Sequence, residues 1–399
     1  MVAVAPVEES TLEPPGPGRG TFVDAVDADP QALLYFLLNV GDGDTQLLVL
    51  PPNSNDSHRR VVVVDVATRA KLPALLEALA ATGILTEPPG SPGQIQLLVA
   101  SHPHRDHIGG FDDLLDRYNG PSGCIDQFWE PGFSFPNPSF YNLMRRLDTS
   151  PWIRRLQPTG GTAMYLDSVK VTVLGPGVGL RTRFDTHGVG VNDASLTIMI
   201  DYPGTSIVAE PDPDHPGRIN RRATTQRSRR LLLGGDAQFT SWAQTTIDFP
   251  DLVQEFNPDL ARELRAARGR DYLAADVLKV SHHASKHGVT LELLERVGAR
   301  YALVSAVAGG GKYNFPHALT MDAAREARTA TATSGAAFAS DHELGIHVTG
   351  AVLAGAPGRP AGSIGLLIPA RAQAPLRMFR FLDAPKEAIT LAAAREVRR

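Results

Sequence analysis

The ten residues "SHPHRDHIGG", which begin at Ser101, constrain this chain more than any other part of its sequence. They follow the apolar run "IQLLVA", which predicts a buried strand, and precede "FDDLLDRY", which predicts a helix. Residues two apart in an extended segment point to the same side, so His102 and His104 could ligate one cation. Asp106 and His107 lie past the turn and could reach a second cation. Imidazole and carboxylate are the usual ligands of zinc and related divalent metals, so the pattern predicts a metal site, with a solvated polar loop as the alternative.

Other predicted strands also end at residues of ligand type. Asp236 follows "LLLGG", His282 and His283 follow the strand in "VLKVS", and His317 lies in "NFPHALT" after the strand "RYALVSAV". Each of these is ordinary by itself, because strand ends often carry polar residues. Together they are strand ends that present ligand-type side chains, and open α/β sheets bind ligands at such ends. We therefore expect these residues to gather around the first motif.

The composition of the whole chain limits its class. It has 399 residues, of which 43% are hydrophobic, and a formal net charge of −4, which argues against a generally nucleic-acid-binding surface. Cys124 is the single cysteine, so an internal disulfide is excluded and a reducing, cytoplasmic location is expected. No stretch reaches the roughly 18 apolar residues that a membrane helix needs.

The order of the patterns predicts an α/β fold with two βαβ-like halves, compatible with two sheets flanked by helices. A Pro, Gly and Glu bias predicts a disordered leader over residues 1–28. One large domain is expected over residues 29–385, and a C-terminal tail or helix over residues 386–399. The segment from Gly120 to Thr162 is rich in Pro, Gly and aromatic residues, which predicts an elaborated loop with a short helix.

The set of motifs resembles the metallo-β-lactamase fold superfamily, with its His-x-His-x-Asp-His signature, a later Gly-Asp and a late His. It is more similar still to the soluble hydrolase domain of the DNA-uptake channel protein of competent bacteria, through the paired His after "VLKVS". The matching pieces lie in order between Leu34 and Ala318: "FLLNVGDGD", "VVVVDVA", "LVASHPHRDHIGG", "VLGP", "NDASLTI", "LLLGGDA", "VLKVSHHAS" and "VSAV…NFPHALT". The resemblance implies an αββα sandwich of two mixed β-sheets flanked by helices, with a two-metal site between the sheets.

The same resemblance implies a metal-dependent hydrolase that uses a metal-activated hydroxide, with a phosphodiester or nucleic-acid-like substrate favoured. Two divalent ions are expected, Zn²⁺ in first place and Mn²⁺ as the alternative, with Asp236 as the bridge between them. The expected metal ligands are His102, His104, Asp106, His107, Asp236 and His282. The expected catalytic residues are Asp106, Asp236, His317 and His283, and the expected substrate-binding residues are Asn192 and Ser285.

Two departures from the superfamily pattern leave alternatives open. Many members carry a further His between the first motif and Gly-Asp, where this chain has His187 and His215. The first metal then either lacks one protein ligand or uses His187, and the site holds one ion or two. Ala284 stands where the closer subgroup often has Gly after its paired His. The alternative functions are hydrolysis of a lactam, lactone, thioester or carboxylic ester, and a non-catalytic, metal-stabilised binding protein.

Two groups outside the metal set also call for an interpretation. Asp65 ends a predicted buried strand and is expected to support metal ligands without binding metal itself. The segment "RINRRATTQRSRR" has no acid, and arginine clusters suit phosphates, so it either contacts an anionic substrate or forms a solvated loop. Its arginines are Arg218, Arg221, Arg222, Arg227, Arg229 and Arg230. The partners expected are an anionic or small-molecule substrate, with nucleic acid as one candidate and no membrane.

Overall fold

The computed structural model describes residues 4–14, 20–120, 123–133, 135–183, 190–204, 206–211, 215–217, 219–224, 228–251, 270–307, 311–329, 339–356, 358–371 and 373–398. Its helices are Thr21–Ala28 (α1), Lys71–Ala81 (α2), Arg105–Ile108 (α3), Phe111–Tyr118 (α4), Pro138–Asp148 (α5), Val178–Arg181 (α6), Phe239–Asp248 (α7), Leu291–Val297 (α8) and Ala318–Thr329 (α9). None of the helices in these ranges is both long and apolar enough to cross a membrane.

The strands form two large sheets and one hairpin. Those before residue 160 are Leu33–Leu37 (β1), Thr45–Val49 (β2), Val61–Val66 (β3), Ile95–Val99 (β4), Gln127–Trp129 (β5) and Arg154–Leu156 (β6). The next are Ala163–Leu166 (β7), Val169–Gly175 (β8), Thr197–Tyr202 (β9), Ser206–Pro211 (β10), Ile219–Thr224 (β11) and Arg229–Leu233 (β12). The last are Val277–Lys279 (β13), Tyr301–Val304 (β14), Ile346–Val348 (β15), Ile364–Ile368 (β16), Arg377–Arg380 (β17) and Arg395–Glu396 (β18).

Both large sheets are mixed. The nine-stranded sheet has the order β18-β17-β16-β1-β2-β3-β4-β5-β6, and its strands from β3 to β6 are parallel. The seven-stranded sheet has the order β15-β14-β13-β12-β9-β8-β7, and its strands from β12 to β15 are parallel. Strands β10 and β11 form the separate hairpin, between β9 and β12 along the chain.

Side-chain alternation along the strands builds a layered core. In β1, Leu34 and Phe36 pack on the helix-covered side, whereas Leu33 and Tyr35 pack between the two sheets. Successive side chains of a strand point to opposite faces, so a strand that is apolar throughout is buried on both faces. A third apolar cluster lies between the seven-stranded sheet and its helices, and it includes Trp242 of α7. The fold is therefore an αββα sandwich of the metallo-β-lactamase type, as the sequence predicts.

The chain termini and one long connection are more regular than the sequence predicts. Residues 21–28, which the composition places in a disordered leader, form α1, and Phe22 of this helix packs edge-on against Phe36 with ring centroids 5.5 Å apart. The composition averaged over residues 1–28 does not predict this short amphipathic helix. At the other end, Glu396 lies in β18 and its carboxylate accepts a 2.8 Å hydrogen bond from Arg377 of β17, where a tail or helix is expected. The segment from 120 to 162 contains β5 and β6 as well as the expected short helix, α5.

Candidate metal centre

The polar cluster lies where strands of both sheets end. His102 and His107 follow β4 of the nine-stranded sheet, whereas Asp236 and His283 follow β12 and β13 of the seven-stranded sheet. All four side chains are buried. The parallel strands deliver these side chains to one edge of the sandwich, because their carboxyl ends meet there. His107 and Asp236, which are 129 positions apart in the sequence, thus become neighbours through the fold.

Asp236 is at the centre of the cluster, and each of its two carboxylate oxygens faces two imidazole nitrogens. Oδ2 lies 3.6 Å from Nε2 of His102 and 3.8 Å from Nε2 of His282. Oδ1 lies 3.2 Å from Nε2 of His107 and 3.6 Å from Nε2 of His283. This arrangement divides the cluster into two halves that share one carboxylate, as expected for a residue between two ions.

The potential ligand atoms form compact groups that follow the same division. His102, His104 and Asp236 have ligand atoms within 4.8 Å of one another, and so do Asp106, His107 and His283. A further group joins Asp44 to His107 and Asp236. These groups contain five of the six metal ligands that the sequence proposes, together with His283 and Asp44. The sixth, His282, lies 3.8 Å from Asp236.

Several atoms of the cluster lack the partners that buried polar atoms normally have. Nε2 of His107, Oδ1 of Asp236 and Nε2 of His283 are buried and make no hydrogen bond. A buried polar atom left unpaired costs about 1–3 kcal/mol, so a native protein rarely keeps three in contact. Divalent cations among these atoms would satisfy all of them, and the imidazole and carboxylate donors suit such ions. The residues present fit a metal site.

Hydrogen bonds outside the cluster fix which nitrogen of each imidazole faces inward. Nδ1 of His107 donates to Oδ2 of Asp65 at 2.8 Å, which leaves Nε2 free for a metal. Asp65 also accepts from the backbone and the hydroxyl of Ser101, both at 2.7 Å, and this hydroxyl lies 3.1 Å from Nδ1 of His102. Asp65 supports the ligands from outside the cluster, as the sequence predicts. Such supporting contacts orient the ring and keep its ligand nitrogen deprotonated.

The paired histidines are both turned toward the cluster by an unusual backbone. His282, His283 and Ala284 have φ values of 50°, 53° and 60°, in the left-handed region. Each such residue with a Cβ costs roughly 1–2 kcal/mol, so three in succession mark a conformation that the surroundings impose. The backbone of His282 donates to Gly235 at 3.0 Å, and Ala284 accepts from His317 at 2.8 Å. A glycine at position 284 would avoid part of this cost.

The two histidines have different second partners. Nδ1 of His283 donates to the Ser305 carbonyl at 2.8 Å, so its proton is held there and Nε2 faces the metal ligands. Nδ1 of His282 is 2.9 Å from the amide nitrogen of Gln238, and its Nε2 is 3.3 Å from the amide nitrogen of Asn192. His283, expected as a catalytic residue, therefore occupies a position suited to a ligand, beside His282.

A buried ion pair beneath the cluster has no counterpart among the sequence predictions. Lys279 lies in the apolar strand β13 and is fully buried, and its ammonium pairs with the carboxylate of Asp44. Oδ1 of Asp44 lies 3.7 Å from Nδ1 of His283. A lysine inside an otherwise apolar strand is the signal that could have identified this pair, because a buried ammonium needs a partner.

The electrostatics of the cluster favour a cation. Burial lowers the pKa of His107, but the carboxylates of Asp236 and Asp65 outweigh burial and raise this pKa well above its usual value. Burial raises the pKa of Asp236, but the imidazoles of His107, His283 and His102 hold it well below its usual range. Burial keeps the pKa of His102 well below its usual value, so this ring stays in the neutral form that binds metal.

The other predicted site residues lie at different distances from this centre. Asn192 contacts His282 as described, and its Oδ1 is buried without a partner. The hydroxyl of Ser285 accepts from the backbone of His287 at 3.4 Å and thus holds a turn, so its contact with substrate stays a prediction. His317 is half-buried, and its Nδ1 accepts from the backbone of Leu319 at 3.2 Å. His187 lies outside the described residues.

Arg229 and Arg230 of the arginine-rich segment begin β12, at the opposite end of this strand from Asp236, and both shape the fold. Arg229 pairs with Asp276 at 3.1 Å, and Arg230 pairs with Asp201 at 2.6 Å. Both guanidinium groups are thus paired with carboxylates inside the chain, and a substrate contact for the segment stays a prediction. Arg221 and Arg222 lie in β11. Arg218 and Arg227 lie outside the described residues.

Comparison with known proteins supports the class of the domain. Residues 56–208, less than half of the chain, match the family model described as the metallo-β-lactamase superfamily. This match contains the first histidine motif and Asn192 but ends before Asp236. This match supports a metallo-β-lactamase superfamily domain within the chain. No curated protein matches the chain by sequence. The closer resemblance to the hydrolase domain of the DNA-uptake channel stays a prediction from the motifs.

Solved structures with similar folds have low sequence identity. A mutant of the β-hydroxylase CmlA is 10% identical with a TM-score of 0.39, and the alignment covers 80% of this chain but only 52% of that one. The metallo-β-lactamase fold protein YhfI from Bacillus subtilis is 12% identical with a TM-score of 0.38, covering 75% of this chain and 92% of that one. A diphosphatase of the PhnP family is 12% identical with a TM-score of 0.33, covering 84% of this chain and 99% of that one. At these values the similarities carry no information on substrate.

Proposed function

We propose that this protein is a metal-dependent hydrolase that binds two divalent cations and cleaves a phosphodiester. The proposal depends above all on the buried, unpaired ligand atoms around Asp236, which divide into two halves about its carboxylate. Members of the superfamily whose model matches residues 56–208 are mostly metal-dependent hydrolases. The side chain of Asp106 is 35% exposed, so the cluster opens to solvent as catalytic metal sites do and closed structural sites do not.

The ligands have a natural assignment. His102, His104 and His282 would hold one cation beside Oδ2 of Asp236. The other cation would be held beside Oδ1 by Asp106, His107 and His283. In this assignment His282 takes the place for which the sequence offers His187, so the first site does not lack a protein ligand. Zn²⁺ suits this mixture of imidazole and carboxylate best, and Mn²⁺ is the alternative.

The chemistry then follows from the positions of the side chains. A pair of bound divalent cations lowers the pKa of water to about 7 and polarises the scissile group. Asp106 lies at the open side of the cluster, where its carboxylate can accept a proton from the attacking water. Nδ1 of His317 accepts a hydrogen bond, so its Nε2 carries a proton that can hydrogen-bond to the leaving oxygen as negative charge develops there. The proton of His283 is held by Ser305, so we assign His283 to metal binding and not to proton transfer.

A phosphodiester is favoured by the motif resemblance and by the exposed cations beside the cluster. Arg105 lies between two proposed ligands, and Lys286 follows the strained turn by two residues. Both are exposed and could meet the anionic oxygens on either side of a scissile phosphate. A neutral lactam or ester has no anionic oxygens with which these two side chains could pair.

The test is a substrate screen with metal-free protein that is reloaded with Zn²⁺ or Mn²⁺. The substrates are bis-p-nitrophenyl phosphate, single- and double-stranded oligonucleotides, nitrocefin and a thioester, and Asp236→Asn is the matched control. Phosphodiester turnover that needs metal and is lost in the control supports the proposal. Turnover of nitrocefin or the thioester alone would replace the phosphodiester by a carbonyl substrate. Metal binding without any turnover would favour the non-catalytic binding protein.

A further inference from the structure

An aromatic stack leads from the metal centre to solvent in the loop between β14 and α9. The ring of Phe315 has its centroid 5.3 Å from that of His282 and 5.7 Å from that of His283. The ring of Tyr313 stacks on Phe315, with centroids 5.9 Å apart and 28° between the planes. Tyr313 is nevertheless 53% exposed. The stack presents an open aromatic surface one ring away from the proposed metal ligands.

The backbone of this loop holds Tyr313 in place. His317 donates a 2.8 Å hydrogen bond to Ala284 of the strained turn, and Pro316 is buried. Asn314 has a φ of 59°, in the left-handed region, which asparagine adopts more readily than most residues with a Cβ. The position of Tyr313 is therefore set by its neighbours in the chain, and its exposed ring is not needed to fill the core.

Exposed cations accompany the aromatic surface. The ammonium of Lys312 lies 4.9 Å from the Tyr313 ring centroid and donates to its hydroxyl at 3.2 Å. Arg105 lies between two proposed metal ligands in the sequence, Lys286 lies three residues after His283, and both are exposed. Across the described residues, none of these three side chains forms an ion pair. A planar ring beside mobile cations is the combination with which proteins bind single-stranded nucleic acid.

We propose that Tyr313 stacks on an unpaired nucleobase of a single-stranded nucleic acid, while Lys312 and its neighbours hold the flanking phosphates at the metal centre. This inference rests on the proposed function, because it names the substrate class of the same site. Bases in a duplex are already stacked on each other, so Tyr313 would select single strands. Stacking tolerates every base, so little dependence on sequence is expected.

The chain offers a matched control for this tyrosine. Tyr165 lies on β7 at the edge of the seven-stranded sheet and is 50% exposed. The Lys170 ammonium lies over its ring, 6.0 Å from the centroid. Tyr165 thus has a similar exposure and a similar cation, but its ring is in contact with none of the cluster histidines. Comparing Tyr313→Ala with Tyr165→Ala separates the position of the ring from the mere loss of an exposed tyrosine.

The experiment measures binding in the presence of a chelator, so that the strand is not cut. Fluorescence anisotropy gives the dissociation constants for a short single strand, for an abasic strand of the same length and for a duplex. We expect Tyr313→Ala to weaken binding of the base-bearing strand about tenfold, or ~1.4 kcal/mol, within the range for stacking of one base on an aromatic ring. Binding of the abasic strand should not change. Tyr313→Phe, which keeps the ring, should bind like the wild type, and so should Tyr165→Ala.

Three results would overturn the inference. They are no loss in Tyr313→Ala, an equal loss on the base-bearing and abasic strands, and an equal loss in Tyr165→Ala. Cleavage of the abasic strand by the metal-loaded wild type tests the hydrolase separately, because this strand has phosphodiesters and no bases. If the wild type cuts neither strand while binding still depends on Tyr313, the proposed function fails and the stacking site stands. If it cuts both strands and Tyr313→Ala binds normally, the stacking site fails alone.

Discussion

The two ends of β12 carry charged groups whose partners differ: the groups at its start are partly buried, and those beyond its end are almost fully buried. At the start of the strand, Arg229 and Arg230 pair with Asp276 and Asp201. Beyond its end, Asp236 faces four imidazoles, yet its Oδ1 atom makes no hydrogen bond. In the first arrangement, each of the two guanidinium groups has a carboxylate partner within the polypeptide. The second is complete only when something further binds to it.

This difference shows how a structural charge cluster can be told from a functional one. Both clusters are rich in charge, and both lie against β12 of the same sheet. In a paired cluster, the opposite charges within the fold offset the cost of burying each other. In an unpaired cluster, a bound ligand must offset the cost of burying the charges. The unliganded fold is therefore less stable because of the same residues that bind the ligand. The following predictions test this contrast.

The largest expected effect is on turnover at the unpaired end. Asp236→Asn keeps the size of the side chain but removes the charge shared between the two halves of the cluster. We expect turnover to fall at least about 1000-fold, which corresponds to roughly 4 kcal/mol of lost transition-state stabilisation. Circular dichroism should show the wild-type fold. Wild-type turnover in this variant would remove Asp236 from the mechanism.

Metal loading should stabilise the protein through the same end of the strand. We expect about two divalent ions per chain, because two groups of ligands surround Asp236. At a free metal concentration about 100 times the dissociation constant, one site adds about 2.7 kcal/mol to the free energy of unfolding. Elemental analysis and urea denaturation with and without chelator measure both quantities. A stoichiometry near zero contradicts the metal site, and one near one shows that the two halves bind a single ion.

The paired end should respond in stability and not in turnover. Asp276 accepts hydrogen bonds from Arg229, Arg230 and Arg270. Asp276→Asn leaves these donors without their charged partner, and we expect the free energy of unfolding to fall by about 2 kcal/mol. Turnover per folded molecule should match the wild type. Asp113→Asn is the control, because its exposed pair with Arg69 should contribute less than about 1 kcal/mol. An equal loss in both variants would contradict the structural role of the paired end.

The smallest expected effect is the pH dependence of that loss. Burial raises the pKa of Asp276, but the backbone N–H of Arg230 and the guanidinium of Arg270 outweigh burial and lower it. A lowered carboxyl pKa stabilises the fold fully above the unfolded value of about 3.9, and this contribution is lost as the pH falls through the folded value. In metal-free protein, the stability difference between wild type and Asp276→Asn should be constant above about pH 5 and shrink below about pH 4. A difference that shrinks on going to neutral pH would reverse the assigned direction.

The sequence by itself determined the elements of the fold and the residue types of the site. The run "VVVV" is apolar at every position and "IQLLV" at every position except Gln96, which predicts strands buried on both faces, and both lie in strands of the nine-stranded sheet. The spacing of His102, His104, Asp106 and His107 likewise predicted one cluster, and the structure places them together. These features are local, because the strand period and the ligand spacing each extend over only a few consecutive residues. The composition of the leader was a poorer guide, since an average over many residues hides one buried helix.

Only the tertiary structure decided how the distant groups are used. Lys279 and Asp44 are 235 residues apart, and no local pattern joins them. His283 faces the ligands because His282, His283 and Ala284 adopt left-handed backbone conformations. The sequence does not predict this turn, because none of the three residues is a glycine. Arg229 and Arg230 have the same residue type as a phosphate-binding cluster, and only strand pairing shows that Asp276 and Asp201 already occupy them. A side chain's chemistry is written in the sequence, but its partner is set by sheet order and register, which form only when the two sheets pack.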